Sequence, residues 1–285
     1  WQAHEIRWSH PRLAPRRFPV PAWDGGPLLS RRLFLASEQG FGDTIQFLRY
    51  VPETIRRGTR VVLDVPAPLV GLARTIEGIE RLIASGQPVP QVDLTLPLMS
   101  LPLRLGPDAP PPPPPYLAAD PDRRARWRER LAGDPRPKVG IAWAGNPGMR
   151  NDRRRSLDEA ALEPLLGIDS VSFVSLQKER APPSAWLDAA PDLADFADTA
   201  ALICELDLVI AVDTAVAHLA GALAKPVWVL LSPAADWRWP RGPRTPWYPS
   251  ARQLWRDPEG DWGTAIAKIA RRLSATPLDR EADFR

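Results

Sequence analysis

The sequence reads as an α/β protein in two parts, each built on a parallel sheet. Three observations predict this. Short apolar runs alternate with stretches of helical spacing in both halves, the pattern of strands joined by crossover helices. Six consecutive prolines, Pro110–Pro115, separate the two alternating regions and can continue neither a helix nor a central strand. The 35 prolines in 285 residues also argue against an all-helical bundle.

Taken in order, Trp1–Trp8 can form a helix, and the rest of residues 1–30 is irregular, with five prolines among Arg and Trp. Arg32–Ser37 is a strand that ends in Glu38-Gln39-Gly40-Phe41-Gly42-Asp43. Ile45, Leu48 and Tyr50 then fall at near-helical spacing before Pro52. Arg60–Val65 is a second strand and Leu69–Ile76 a helix, with short strands at Leu82–Ala84 and Val92–Leu94. After the prolines, Asp120-Pro121 is a cap followed by a first-turn proline, starting a helix over Asp122–Leu131. Lys138–Trp143 is a strand, and Ser156-Leu157-Asp158-Glu159 fits a capping box for a helix running to Leu166. Strands follow at Val171–Leu176, Leu208–Val212 and Val227–Leu231, with helices at Asp198–Glu205, Thr214–Leu223 and Ile266–Leu273. The resulting division is an N-terminal segment (1–30), a first α/β domain (31–106), a linker (107–119), a second α/β domain (120–260) and a closing helix and tail (261–285).

Composition narrows the function classes. Lys and Arg number 37 against 34 Asp and Glu, a formal charge of +3, too small for the field of a nucleic-acid-binding domain. A single cysteine, Cys204, excludes an internal disulfide framework, and three scattered histidines suggest no metal cluster. No apolar run approaches the roughly 20 residues of a membrane span, and no signal-peptide pattern stands at the start. A cytoplasmic location is therefore expected, with peripheral attachment to the inner membrane as an option. The first residue is Trp1, so a piece of a longer protein is expected.

Ligands of open α/β sheets bind beyond the carboxyl ends of strands, where the next helix begins, and three such junctions stand out. At Glu38–Thr44, Gly40 and Gly42 permit close approach of a ligand, while Asp43 can cap the following helix or bear on chemistry. The G-x-G-x-x-G pattern fails at Ile45, which weakens a nicotinamide or flavin reading. The second junction, Trp143–Ser156, carries Gly145, Asn146, Gly148 and then Arg150, Arg153, Arg154 and Arg155. Such a loop can hold a diphosphate or simply be a solvated surface. It lacks the G-K-[ST] of a P-loop, and Gln177-Lys178 can add a cation to the same crevice. At the third, Asp213-Thr214-Ala215-Val216-Ala217-His218 follows a wholly apolar strand. Thr214 and His218 share a helix face, and the N–H groups of Ala215 and Val216 would face an anion at the helix start. Trp237, Trp239, Trp247 and Tyr248, broken by prolines, can stack on sugar faces or pack an irregular segment onto the core.

These motifs together resemble glycosyltransferase family 9, the ADP-heptose:lipopolysaccharide heptosyltransferases. Gly42-Asp43 and Asp213-Thr214-Ala215-Val216-Ala217-His218-Leu219-Ala220 carry the likeness, with Ala215 where the family commonly has Gly. The similarity is closer to the glycosyltransferase-like C-terminal regions of bacterial tetratricopeptide-repeat proteins. It is carried by residues 38–50, Pro97–Pro102, Asn151–Ser156, Ser175–Lys178 and Asp236–Trp239, and Trp1–Trp8 would be the tail of a last repeat.

The resemblance implies a GT-B-like fold, two Rossmann-like domains with parallel sheets facing a cleft. It implies inverting, metal-independent sugar transfer from a nucleotide diphosphate-sugar to a glycan or protein hydroxyl, with no cofactor. Asp43 would be the base. Asn146, Arg153, Arg154, Arg155, Gln177, Lys178, Asp213, Thr214, Ala215, Val216 and His218 would form the donor side. Glu38, Gln39, Gly40, Gly42 and Gln46 would form the acceptor-side loop. Arg155 stands where the family has a diphosphate-binding Lys, and hinge closure would bring donor and acceptor sides together. The competing reading is a non-catalytic nucleotide-, glycan- or protein-binding module of a repeat scaffold, suggested by a first half of roughly 85 residues against a usual 100–150.

Overall fold

A computed structural model describes residues 1–10, 16, 18–106, 113–148, 152–258 and 260–275. Residues 110–112 of the proline run, Arg150, Asn151, and the tail beyond 275 lie outside the described residues. The chain divides into two compact units, Trp1–Ala118 and Ala119–Arg285; the division falls inside the segment read as a linker.

The first unit opens with 3₁₀ turns over Gln2–Ser9. Strand β1 (Arg32–Ala36) leads into α1 (Phe41–Phe47), a 3₁₀ turn and α2 (Val51–Arg56). Next come β2 (Arg60–Val65), α3 (Val70–Ala73), β3 (Ile79–Ala84), β4 (Leu94–Pro97) and α4 (Leu101–Leu105). The four strands are parallel in the order β3-β2-β1-β4. Leu33, Phe34 and Leu35 of the central strand β1 are fully buried, as expected when both faces of a strand are covered. The last strand is displaced from its expected place at Val92–Leu94: Leu94, Thr95 and Leu96 pair with Leu33, Phe34 and Leu35.

The second unit begins with α5 (Pro121–Leu131), where Asp120 accepts from the N–H groups of Asp122 and Arg123, the cap the sequence predicts. Its remaining elements are β5 (Lys138–Ala142), α6 (Asp152–Arg155), β6 (Ser172–Ser175), β7 (Leu187–Asp188), α7 (Phe196–Glu205), β8 (Leu208–Val212), α8 (Ala215–Ala222), β9 (Val227–Leu231), β10 (Ala251–Trp255) and α9 (Trp262–Ala275). All six strands are parallel, ordered β10-β9-β8-β5-β6-β7. Gly140 in β5 leaves room for two leucine side chains: a Cβ there would stand 2.4 Å from Leu206 Cδ1 and 2.9 Å from Leu176 Cδ1, and both would have to shift.

The capping box expected at Ser156 does not form. The Ser156 hydroxyl instead accepts the Gly145 N–H at 2.9 Å, and only a 3₁₀ turn over Ala160–Leu165 follows, started by Asp158 accepting from Ala161. Strands β7 and β10 and helix α4 were not expected from the sequence.

Candidate functional site

Each sheet has one point where strand order reverses, and the candidate loops sit at those points. In the second unit the chain runs outward from β5 through β6 and β7, then returns to lay β8 on the other side of β5. The loops leaving the carboxyl ends of β5 and β8 therefore flank the crevice where open α/β sheets bind ligands. Their described residues are 143–148 and 152–156 on the β5 side and Asp213–Thr214 on the β8 side.

The two loops are tied together. Arg155 Nη1 donates to the Asp213 carbonyl oxygen at 2.9 Å, and its Nε donates to Asp152 Oδ1 at 3.2 Å. Gly145 makes room for this pair: a Cβ there would lie 2.5 Å from Asp152 Oδ1 and 2.7 Å from Arg155 Nη2. Below them, Gln177 Oε1 accepts the Ala144 N–H at 3.0 Å, so Gln177 shapes the β5 exit from a buried position. Asn146 accepts from Gly148 N–H in a local turn on the surface, and Arg153, Arg154 and Lys178 are exposed. Arg155 is thus the cation of the cluster that the structure brings to Asp213.

Thr214 is the N-cap residue of α8, with extended backbone, and its hydroxyl donates to the Val212 carbonyl at 3.3 Å. Thr214, Ala215 and Val216 are half-exposed at the helix start. The Asp213 carboxylate accepts Trp239 Nε1–H at 2.7 Å and lies 3.9 Å from His218 Nε2. Burial pushes the Asp213 carboxyl above the usual range; Trp239 opposes this by donating, Asp236 adds to it, and Arg155 and Arg238 pull the other way.

His218 is 4% exposed. Its Nδ1 pairs with the Tyr248 hydroxyl at 2.9 Å, and its ring packs against those of Trp239 and Tyr248. Gly221, one turn along α8, lets the Tyr248 ring approach: a Cβ there would stand 2.4 Å from two ring carbons. The aromatic stretch is therefore divided. Trp239 and Tyr248 are buried and hold Asp213 and His218, whereas Trp237 is 48% exposed.

In the first unit the reversal lies between β1 and β4. Glu38, just past β1, accepts the Met99 N–H at 3.1 Å just past β4. It also accepts from Arg7 Nη2 at 2.9 Å. Arg7 comes from the N-terminal turns and also reaches Glu5 at 2.6 Å and the Ser100 hydroxyl at 2.7 Å. Burial raises the Glu38 carboxyl against the pull of Arg7; for Glu5 burial also pushes upward, but Arg7, Trp8 and Ser100 hold it below the usual range. Gln39 is left-handed at φ +61°. Asp43 stands in the first turn of α1 and its Oδ2 accepts the Gly40 N–H at 2.8 Å, so it closes the loop Gly40–Asp43, with Gly42 half-exposed inside it. Gln46 corrects the expectation of a loop ligand: it is fully buried, and its backbone carbonyl accepts from the buried Arg49 Nε at 3.0 Å. Arg7, Trp239 and Tyr248 are the partners that sequence spacing could not assign to these sites.

Comparison with known proteins gives a match over part of the chain. Residues 190–262 match the model of glycosyltransferase family 9 (heptosyltransferase). The matched stretch contains Asp213, Thr214, His218, Trp239 and Tyr248; Asp43 and Arg155 lie outside it. The chain is 29% identical over 309 residues to protein FlbA of Caulobacter vibrioides, covering 96% of this chain and 52% of that protein, about half its length. Among the solved structures that share the fold, two serve as examples. One is the E. coli ADP-heptose lipopolysaccharide heptosyltransferase II, at TM-score 0.60 and 12% identity over 85% of this chain and 98% of that one. The other is the glycosyl transferase family 9 protein of Veillonella parvula, at TM-score 0.58 and 11% identity over 81% and 87%. The α/β architecture with parallel sheets is thus that of GT-B heptosyltransferases. No helix among the described residues is long and apolar enough to cross a membrane.

Proposed function

We propose that this chain is a glycosyltransferase that moves a sugar from a nucleoside diphosphate-sugar to a glycan or protein hydroxyl. One observation carries the reading. The segment that matches glycosyltransferase family 9 supplies Asp213 and the α8 N-terminus, at the strand-order reversal where Arg155 is tied to the same loop. The E. coli relative is named for ADP-heptose; for this chain the donor is proposed only as a nucleoside diphosphate-sugar. The turns over Gln2–Ser9 are, on this reading, the end of a helical-repeat region.

The donor diphosphate lies against the N–H groups of Ala215 and Val216 and the Arg155 guanidinium, which offset the charge that grows as it leaves. Asp213 faces a donor hydroxyl, its carboxyl held by Trp239. Asp43 takes the proton of the acceptor hydroxyl. The acceptor oxygen then bonds to the anomeric carbon while the bond to the diphosphate oxygen breaks. The electron pair leaves with the nucleoside diphosphate, and the configuration inverts in a single displacement. Backbone dipole and Arg155 do the work assigned to a metal elsewhere.

Asp43→Asn tests the assignment, because Asn keeps an acceptor for the Gly40 N–H and so preserves the loop. Transfer should fall by at least about 10²-fold, at the lower end of general-base contributions, with nucleotide affinity nearly unchanged. Undiminished turnover would remove Asp43 as the base. The second reading, a non-catalytic binding module, is favoured by the engagement of Asp43 as the cap of Gly40. It predicts nucleotide binding by the wild type with no donor turnover.

A further inference from the structure

Trp237 stands out among the aromatic side chains beside the candidate donor site. It is 48% exposed, while Trp239, two residues on, is 3% exposed. Exposed indole surface of this kind is enriched at recognition sites, because a rigid flat ring binds with little loss of conformational freedom.

Two anchors fix its position. On one side, the chain passes from Trp237 to Trp239, whose Nε1–H donates to Asp213 Oδ1 at 2.7 Å. On the other, the Trp237 ring meets Trp247 edge-on at 5.7 Å, and the next residue, Tyr248, pairs with His218 at 2.9 Å. Both neighbours of the indole are therefore one or two residues from groups that hold Asp213 and His218. The Arg238 guanidinium lies 4.5 Å from the Trp237 ring centroid and is itself bound to Asp236 Oδ1 at 2.7 Å. With a cation on its face and Trp247 at its edge, the indole is held in place before any ligand arrives.

We infer that Trp237 is the stacking platform for the nucleobase of the donor. The inference rests on the donor-site reading above and extends it to a residue that sets which part of the donor is gripped. A diphosphate at the start of α8 leaves its nucleoside to be held nearby, and the base is the flat aromatic surface that an indole recognises. Stacking tolerates any base, because each has a π-face. Trp237 thus supplies affinity for the nucleoside and leaves the choice among bases to other contacts.

The test is calorimetric titration of wild type, Trp237→Ala and Trp237→Phe. Each is titrated with whichever of ADP, UDP, GDP, CDP and TDP binds the wild type most tightly, and with inorganic pyrophosphate. Because Trp237 lies at the surface, both variants should keep the wild-type circular dichroism spectrum. Trp237→Ala should bind the nucleotide at least about tenfold more weakly, Trp237→Phe should stay within about threefold of wild type, and pyrophosphate should bind all three alike. Unchanged nucleotide affinity in Trp237→Ala would overturn the inference, as would an equal loss for nucleotide and pyrophosphate. A wild type that binds pyrophosphate but no nucleotide would overturn it while leaving a diphosphate site. A wild type that binds neither would overturn the donor-site reading and the platform with it.

Discussion

The Arg155 guanidinium donates to the backbone carbonyl of Asp213 across 58 residues of chain. It thereby joins the loop leaving β5 to the start of α8. The bond places a cation at the helix N-terminus, where an arriving diphosphate would find it beside the backbone N–H groups. Arg155→Met keeps the stem and removes the donor. It should lower stability by about 1.5–3 kcal/mol, the worth of a hydrogen bond to a charged group, and weaken nucleoside diphosphate binding at least about tenfold, as one lost charge-assisted contact implies. Thermal melts and titration calorimetry separate the two effects.

Asp213 gives a pH signature. Its carboxyl is raised above the ordinary 3.8 mainly by burial, so the folded state holds its proton more tightly than the unfolded chain. The sign follows: the ionised carboxylate opposes folding at neutral pH, and the penalty vanishes as pH falls through the folded value toward 3.8. Asp213→Asn retains an acceptor for Trp239 Nε1–H. The variant should melt higher than wild type at pH 7, with the gap closing toward pH 4. A lower melting temperature at pH 7 would contradict this account.

Gly221 holds the room for Tyr248. Gly221→Ala places a methyl 2.4 Å from the ring carbons Cγ and Cδ1, so the ring must shift, straining its bond to His218. Overpacking of this kind costs about 1–3 kcal/mol. The melting temperature should drop, and nucleotide affinity should drop with it, because the anchor of His218 is strained. A loss of stability with full nucleotide affinity would uncouple Tyr248 from the donor site.

The N-terminal turns are part of the first unit's site loop through Arg7, whose side chain is 7% exposed and bound to both Glu5 and Glu38. Arg7→Met leaves two partly buried carboxylates without their cation and should destabilise the first unit by about 2–5 kcal/mol. Glu38 is already raised by burial, and losing Arg7 raises it further, so the deficit should shrink as pH falls. Arg7→Met/Glu38→Gln should recover part of the loss at pH 7, measured by urea unfolding.

The sequence showed the central strands most clearly. β2, β8 and β9 match their expected bounds to the residue; β8 and β9 are unbroken apolar runs, as strands covered on both faces are. At the edge of the second sheet, β10 carries Arg252 and Gln253 side by side, which breaks its apolar run, and follows a proline-rich segment, which hides it. The helix expected from Ser156 fails because the Ser156 hydroxyl is already taken by Gly145. Of the candidate sites, the junctions were legible because strand ends and helix starts mark them locally. Their partners were not: Trp239 reaches Asp213 from 26 residues away and Tyr248 reaches His218 from 30, out of a proline-broken loop with no period to read. Arg7 reaches Glu38 across 31 residues in the same way. Gln46 was assigned to the loop through the resemblance alone, whereas α1 places it in the core.

The central claim is that the junction of Arg155, Asp213 and the α8 N-terminus holds a nucleoside diphosphate without a metal. Titration of the wild-type chain with ADP, UDP, GDP, CDP and TDP in the presence of EDTA tests it most directly. The account predicts saturable binding of at least one of them, undiminished by EDTA. Binding that disappears with EDTA, or no binding of any of the five, would contradict it.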